Sequence, residues 1–392
     1  MWFEELLITI KYYLVLQMPG SLQPVGSAFL SCLPIMTSFG GLFALATLLE
    51  RKMLGRIQNR YGPNRVGPGG LLQPVADGIK MLTKEDIVPK NADHLIHFLA
   101  PLGLLVSAML GLSVIPFGHR LIALDIETGI LFFFAVGAAS ELAIFMAGWG
   151  SRNKYALLGA LRAIAQMISY EIPLILSALS VLMVVGSLSL SDVAQAQSGG
   201  IHTWHIFTPW GFLGCILFLI STLAEINRSP FDIPEAESEL IAGHMTEYSG
   251  FKYALFFMAE GVAMFAMCAL TATLFLGGYH APFPILSFIP GPVWLFGKLT
   301  SLVLLFIWIR GTMPRLRADQ LMEFAWKFML PMSVVNLIAA GVWVALDGGV
   351  AAWILSGLLN FVAYFGWSRI LSQASRFNPR TYRYAEEAGV SE

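Results

Sequence analysis

Apolar residues gather along this chain into nine runs, at roughly 28–49, 95–117, 129–149, 160–186, 209–226, 251–277, 292–312, 328–347 and 350–370. Each is near the twenty residues that an α-helix needs to cross a bilayer, and the stretches between them hold nearly all the charge. The pattern predicts an all-α, polytopic membrane protein of about nine transmembrane helices, with amphipathic helices at the interface. Residues 1–25 form a separate N-terminal segment. It carries Glu4, Glu5 and Lys11, which suits an interfacial helix better than a span, and it lacks the basic, apolar, small order of a cleavable signal. Residues 26–370 read as a single transmembrane domain with long loops near 50–94, 226–250 and 310–327, followed by a tail over 371–392.

Charge orients this arrangement. Only 12% of the 392 residues are charged, against 56% hydrophobic and a mean hydropathy of +0.69. Of 24 Lys and Arg, 21 fall on one side of the nine spans and two, Lys11 and Arg120, on the other, with Lys298 inside a span. Short loops rich in Lys and Arg stay in the cytoplasm, so the N-terminus is expected outside and the C-terminus inside. The net charge of −1 conceals this asymmetry, and no basic patch interleaved with aromatics suggests nucleic acid. Cys32, Cys215 and Cys268 stand alone in apolar runs. Without a Cys/His cluster, a Walker loop or a G-x-G-x-x-G turn, no metal site and no nucleotide site is expected in this chain.

Three inner segments carry the chemistry. The first, from Glu50 and Arg51 to Lys80, holds the Gly/Pro run 62–70, which cannot be helical. Beyond it Leu71, Leu72, Val75, Ile79 and Leu82 share one helical face, with Gln73, Asp77, Lys80 and Lys84 elsewhere. That periodicity fits either an ordinary amphipathic connector or a helix lying in the membrane interface. The second packs six acids between Glu225 and Glu247: Glu225, Asp232, Glu235, Glu237, Glu239 and Glu247. Carboxylates this crowded cannot all ionise cheaply; the run is either a solvated loop or a proton-exchanging cluster. The third holds Arg310, Arg315, Arg317 and Asp319, able to balance those acids, hold a partner or simply anchor the inner face. Within the spans lie Glu141, Glu171 and Glu260, with Arg162, Lys298 and Tyr170 as candidate partners. An acid at membrane depth must be protonated, paired or water-lined, and three of them beside an acidic loop describe a proton route.

These residues resemble a known family. Leu49-Glu-Arg-Lys52, Arg60-Tyr-Gly-Pro-Asn-Arg-Val-Gly-Pro68, Gly70-Leu-Leu-Gln-Pro-Val-Ala-Asp77, Ser169-Tyr-Glu171, Ala224-Glu-Ile-Asn-Arg-Ser-Pro-Phe-Asp232, Glu235-Ala-Glu-Ser-Glu-Leu240, Thr246-Glu-Tyr-Ser-Gly250 and Pro314-Arg-Leu-Arg-Ala-Asp-Gln-Leu-Met322 occur in family order. The chain thus resembles, from about 26 to 370, the quinone-chamber membrane subunit of respiratory complex I, the proton-pumping NADH:quinone oxidoreductase. Ile226, where Thr is common, is a mild departure.

The resemblance implies a subunit without a redox centre, and without a catalytic residue of its own. Its substrate would be a quinone, ubiquinone or menaquinone; NADH, FMN and iron–sulfur centres would sit on partner subunits. It implies a quinone tunnel lined by Glu50, Arg51, Asp77, Phe231 and Arg310. It further implies a carboxylate path of Glu141, Glu171, Glu225, Asp232, Glu235, Glu237, Glu239, Glu247 and Glu260, supported by Arg162, Arg228, Lys298, Arg315, Arg317 and Asp319. The implied partners are the peripheral-arm quinone-site subunits, small membrane subunits, antiporter-like subunits and the lipid bilayer, in a bacterial inner membrane.

Two alternatives compete. The homologous membrane subunit of energy-converting [NiFe] hydrogenases shares the acidic elements, but it tends to be shorter in the first inner loop. An autonomous proton-coupled transporter would show inverted repeats, and none is visible here.

Overall fold

The computed structural model describes residues 2–19, 23–119, 121–232 and 243–374. Among these every regular element is a helix, with no strand. Its helices are α1 (Trp2–Leu16), α2 (Gln23–Ile57), α3 (Gln73–Thr83), α4 (His94–Ser113), α5 (Gly129–Gly150), α6 (Lys154–Val185), α7 (Leu190–Ala196), α8 (Pro209–Glu225), α9 (Gly250–Phe275), α10 (Gly291–Thr312), α11 (Ala318–Phe324), α12 (Leu330–Ala345) and α13 (Val350–Ala374). Eight helical stretches are long and apolar enough to cross a membrane: α2, α4, α5, α6, α9, α10, the continuous run 318–345, and α13. α8 matches the fifth apolar run but has only 17 residues, about 25 Å at 1.5 Å per residue.

The expected spans are all helical, but several helices outrun their apolar segments. α2 continues through Arg51, Lys52 and Arg56 to Ile57, because a charged turn can stay helical once it has left the apolar layer. α6 begins at Lys154, six residues before its apolar run, where the Asn153 side chain accepts from the backbone of Tyr155 (2.9 Å) and caps the helix. Of the stretch 310–327 expected as loop, only 313–317 is non-helical. Arg310 lies in the last turn of α10, and α11 passes through a π-helical turn, Ala325–Met329, into α12.

α9 is the central helix, packed against α4, α10, α2 and α8, while α6 joins α5 to α8 and α12. Small residues allow close approach. A Cβ on Gly148 of α5 would stand 3.0 Å from the Ala156 carbonyl of α6. The eight long stretches and α8 alternate in direction, so α3, the 58–72 loop, the 226–232 turn and the 313–317 loop share one face, the cationic face. The opposite face carries α7, the 276–290 loop and the turns before α8.

The Gly/Pro run of the first loop folds back onto α2 rather than reaching away. Lys52 Nζ donates to the Gly69 carbonyl (2.5 Å), and Gly70 takes a φ of 79° where a Cβ would lie 2.2 Å from the Pro63 carbonyl. α3 follows as the amphipathic pattern requires. Leu71, Leu72, Val75, Ile79 and Leu82 are all exposed along one side, so the apolar face finds no cover among the described residues.

Candidate functional site

Glu50, in the cationic end of α2, is only 8% exposed. Arg228 Nη1 donates to both its oxygens (2.8 and 2.9 Å), and Arg310, from the end of α10, donates to Oε1. Two guanidiniums therefore share one buried carboxylate. A desolvated acid demands this, since burying it unpaired costs several kcal/mol.

Arg228 reaches α2 because the chain turns sharply after α8. Asn227 adopts a φ of 53°, which Asn tolerates better than most residues. Gln166 of α6 clamps the turn. Its Nε2 donates to the carbonyls of Ala224 and Phe231 (2.8 Å each) and to Asn227 Oδ1 (3.3 Å). Just beyond, Asp232 accepts from Arg315 Nη2 (2.6 Å) and Ser229 Oγ (3.3 Å). Leu316 N donates to the Pro230 carbonyl (3.2 Å). Tyr170 packs its ring 5.3 Å from that of Phe231 and donates to the Leu321 carbonyl (2.9 Å). α6, the 226–232 turn and the 313–321 segment thus form one hydrogen-bonded unit around the Glu50 ion pairs. At its edge Arg51 Nη1 meets Asp77 Oδ2 (2.5 Å), joining α2 to α3, while Gln73 Nε2 donates to Asp77 Oδ1 (3.2 Å).

Directly above this unit, between α4, α5, α6, α8 and α9, lies a cavity of about 70 Å³. Glu225, Glu260, Asn227, Ser107 and Ser140 provide its polar wall, and small residues such as Gly137 and Ala263 provide much of the rest. At about 30 Å³ of liquid volume per molecule it has room for about two waters. Glu141 of α5 and Glu171 of α6, both half-buried, stand within electrostatic reach of Glu225 and of each other. Their neighbours Leu142, Ile168 and Ile172 are exposed, so this acid pair lies at the lateral surface of the chain. Glu260, Glu225, Glu141 and Glu171 thereby run from the central cavity to the bundle's edge.

The remaining expected residues separate from this group. Glu247 accepts from Asn153 Nδ2 at the start of α6, outside the cavity. Arg317 and Asp319 pair with each other (2.9 Å), well exposed, at the start of α11. Arg162 is half-buried on α6, one turn before Gln166. Lys298 is not brought to the carboxylates: it lies toward the opposite face, donating to the carbonyls of Gly278 and His280. Glu235, Glu237 and Glu239 lie outside the described residues. Sequence reasoning missed Gln166 and Asn227. The only signal for Gln166 was a carboxamide within an apolar run, where an unpaired amide is costly.

The profile of the NADH dehydrogenase family matches residues 30–341 of this chain. The H subunit of the NADH-quinone oxidoreductase of Geobacillus kaustophilus (strain HTA426) is 51% identical over 297 residues, covering 75% of this chain and 87% of that protein. Its counterpart in Anoxybacillus flavithermus (strain DSM 21510 / WK1) is 51% identical over 299 residues, or 76% and 88%. The counterpart in Dehalococcoides mccartyi (strain CBDB1) is 45% identical over 326 residues, or 83% and 89%. The matched region spans α2 to α12 and all the site residues above; α1 and α13 fall beyond the profile.

Proposed function

Because this chain belongs to the NADH dehydrogenase family, we propose that it is the membrane subunit of a proton-pumping NADH:quinone oxidoreductase, joining a quinone site to a carboxylate path for protons. The observation that carries this reading is the 225–228 turn. Within three residues it places Glu225 on the wall of the cavity and Arg228 on Glu50, so the ion-paired unit and the acid chain share one short piece of backbone.

On this reading Glu50, Arg51, Asp77, Phe231 and Arg310 line the quinone tunnel. The fit is chemical: the exposed apolar faces of α2 and α3 suit a long apolar tail, and they end on the Arg51–Asp77 pair and the Glu50 ion pairs. A bound quinone accepts two electrons and two protons on reduction. The residues here respond to the change of charge beside them. In a low-dielectric setting a charge shift at the Glu50 and Asp232 ion pairs alters the proton occupancy of Glu225 and Glu260. Glu141 and Glu171 extend the response toward the membrane axis, with the acidic run Glu235, Glu237 and Glu239 supplying its inner end.

The same geometry proposes partners. Electrons come from subunits carrying NADH, flavin and iron–sulfur chemistry, docked on the cationic face around Arg51 and the exposed Tyr61. Half-exposed Glu141 and Glu171 cannot face lipid at membrane depth without cost, so a neighbouring membrane subunit covers α5 and α6 there. The cationic face is cytoplasmic in a bacterial inner membrane.

The test is the gently purified complex, assayed with NADH and a short-chain quinone, separately for hydrogen evolution, and in proteoliposomes for proton pumping. Inhibitor-sensitive quinone reduction is expected, with pumping lost in Glu225→Gln and impaired in Glu235→Gln/Glu237→Gln while the complex still assembles. Hydrogen evolution without quinone reduction would reassign the chain to the hydrogenase relatives. Normal pumping in the assembled Glu225 variant would remove the carboxylate path.

A further inference from the structure

Two features lie in series between the cavity and the face opposite the cations. The first is an apolar plug that begins at the cavity wall, at Met267. From Met267 to the end of α9 at Phe275 every residue is buried, a stretch of about 12 Å. The hydroxyls of Thr271 and Thr273 are both committed to their own helix, donating to the Met267 and Ala269 carbonyls (2.8 Å each). Leu112, Val114, Ile115, Ile130 and Val193 belong to the same packed cluster on the α4, α5 and α7 side. Both hydroxyl protons are thus spent within the helix, and this stretch of α9 offers water few partners.

The second is a half-buried lysine. Lys298, eight residues into α10 from this face, donates from Nζ to the carbonyls of Gly278 and His280 (2.8 Å each) and lies 4.2 Å from the centre of the Trp204 ring. Two carbonyls and an aromatic face surround the ammonium, and among the described residues no carboxylate pairs with it. The loops it joins are tied again by Gln197, fully buried. Gln197 Oε1 accepts from Gly277 N (3.0 Å) and His205 N (3.3 Å), and Nε2 donates to the Thr273 and Leu274 carbonyls (3.0 and 3.2 Å). The loops are therefore held without Lys298. A neutral amide could also make its two carbonyl bonds without the cost of burying an ion, so the charge itself calls for a role. Nearby, burial above all, with Lys298 next, holds the His280 imidazole below its ordinary range.

We propose that Lys298 is the proton barrier of this face, an ammonium held by two carbonyls and the Trp204 ring behind the apolar plug, which stops protons passing between the carboxylate cavity and the water beyond. Buried cations bar protons in this way in other membrane pores. The role rests on the carboxylate path proposed above for what it protects, but its test does not depend on turnover.

The experiment is the passive decay of an imposed pH gradient in proteoliposomes of the assembled complex, with neither NADH nor quinone present. Lys298→Gln keeps two donors for the carbonyls and loses the charge. It should raise proton leak roughly tenfold, the factor a unit charge exerts at about 10 Å and an effective dielectric of about 20. Sodium permeability should stay unchanged, and Lys298→Arg should stay tight. A second route to the same result is His280→Asp, which sets a carboxylate beside the ammonium from the loop; it should leak likewise, even if the Gln variant does not assemble. Adding Glu260→Gln to Lys298→Gln should suppress the leak. Tight Gln and Asp variants would overturn the proposal, as would a leak shared with sodium, which would mean that the loops had come apart. Failure of the carboxylate path would show separately, as normal pumping in Glu225→Gln with passive leak unaltered.

Discussion

Arg228 grips Glu50 through a single nitrogen placed 2.8 and 2.9 Å from the two carboxylate oxygens, and both side chains are buried. Removing either partner strands a charge in a dry setting. Arg228→Met leaves Glu50 with Arg310 alone, and the expected loss is about 3 kcal/mol of stability, the low end for a broken buried pair. Replacing both, as Glu50→Leu with Arg228→Leu, should cost less than Arg228→Met, because Arg310 is more exposed and can reach water. Thermal unfolding in detergent decides the matter. A double variant less stable than either single one would show that the pair is net stabilising and not merely self-compensating.

The Arg51–Asp77 pair predicts the opposite balance. At 2.5 Å it is close, but both side chains are substantially solvated, so its contribution to stability is under about 1 kcal/mol. Its effect lies in placing α3 beside α2. Asp77→Asn should leave assembly and melting near wild type while raising KM for a short-chain quinone more than it lowers kcat. The exchanged pair, Arg51→Asp with Asp77→Arg, should recover part of the loss. Unchanged KM in Asp77→Asn would take this pair out of the quinone site.

What could be read in advance follows from the range of each signal. The spans were legible because twenty apolar residues in a row are a local pattern, and the α3 face was legible because its period lies within eleven residues. Helix ends were less so: Arg51 and Lys52 look like loop in composition, yet they continue α2. The Glu50 ion pairs were beyond reach, since the partners are 178 and 260 positions away, and nothing local says which of many inner arginines will meet which acid. Lys298 shows the same limit in reverse. A lysine in a span suggested an acid partner, but its depth places it near the Gly278 and His280 carbonyls and far along α9 from Glu260.

Gln166 converts three contacts into a test of the turn that links ion pairs to cavity. Gln166→Leu keeps the volume but strands the buried carbonyls of Ala224 and Phe231, at an expected cost of about 3 kcal/mol. Loosening should be local, so limited proteolysis of the assembled complex should cut near 226–232 several times faster than in wild type. Wild-type protection there would mean that Asn227 and the Asp232–Arg315 pair hold the turn unaided.

Two buried histidines outside the spans set an acid limit on the fold. His205, before α8, and His244, before α9, are each pushed by burial from the ordinary 6.5 to about 4. Both therefore stay neutral in the folded protein at pH values where an unfolded chain would protonate them. Stability is fully present above about 6.5, and it falls as pH drops from there toward 4, by on the order of 3 kcal/mol for each histidine. His244→Phe should remove its share, since the new ring can pack against Phe256, whose centroid lies 5.4 Å from the imidazole. Melting temperatures of the detergent-solubilised complex between pH 4.5 and 7.5 should then fall less steeply in the variant, with the two curves meeting near neutrality apart from a constant packing offset. Parallel curves across that window would show that His244 does not titrate on unfolding, and that acid lability has to be sought in His205 or in partner subunits.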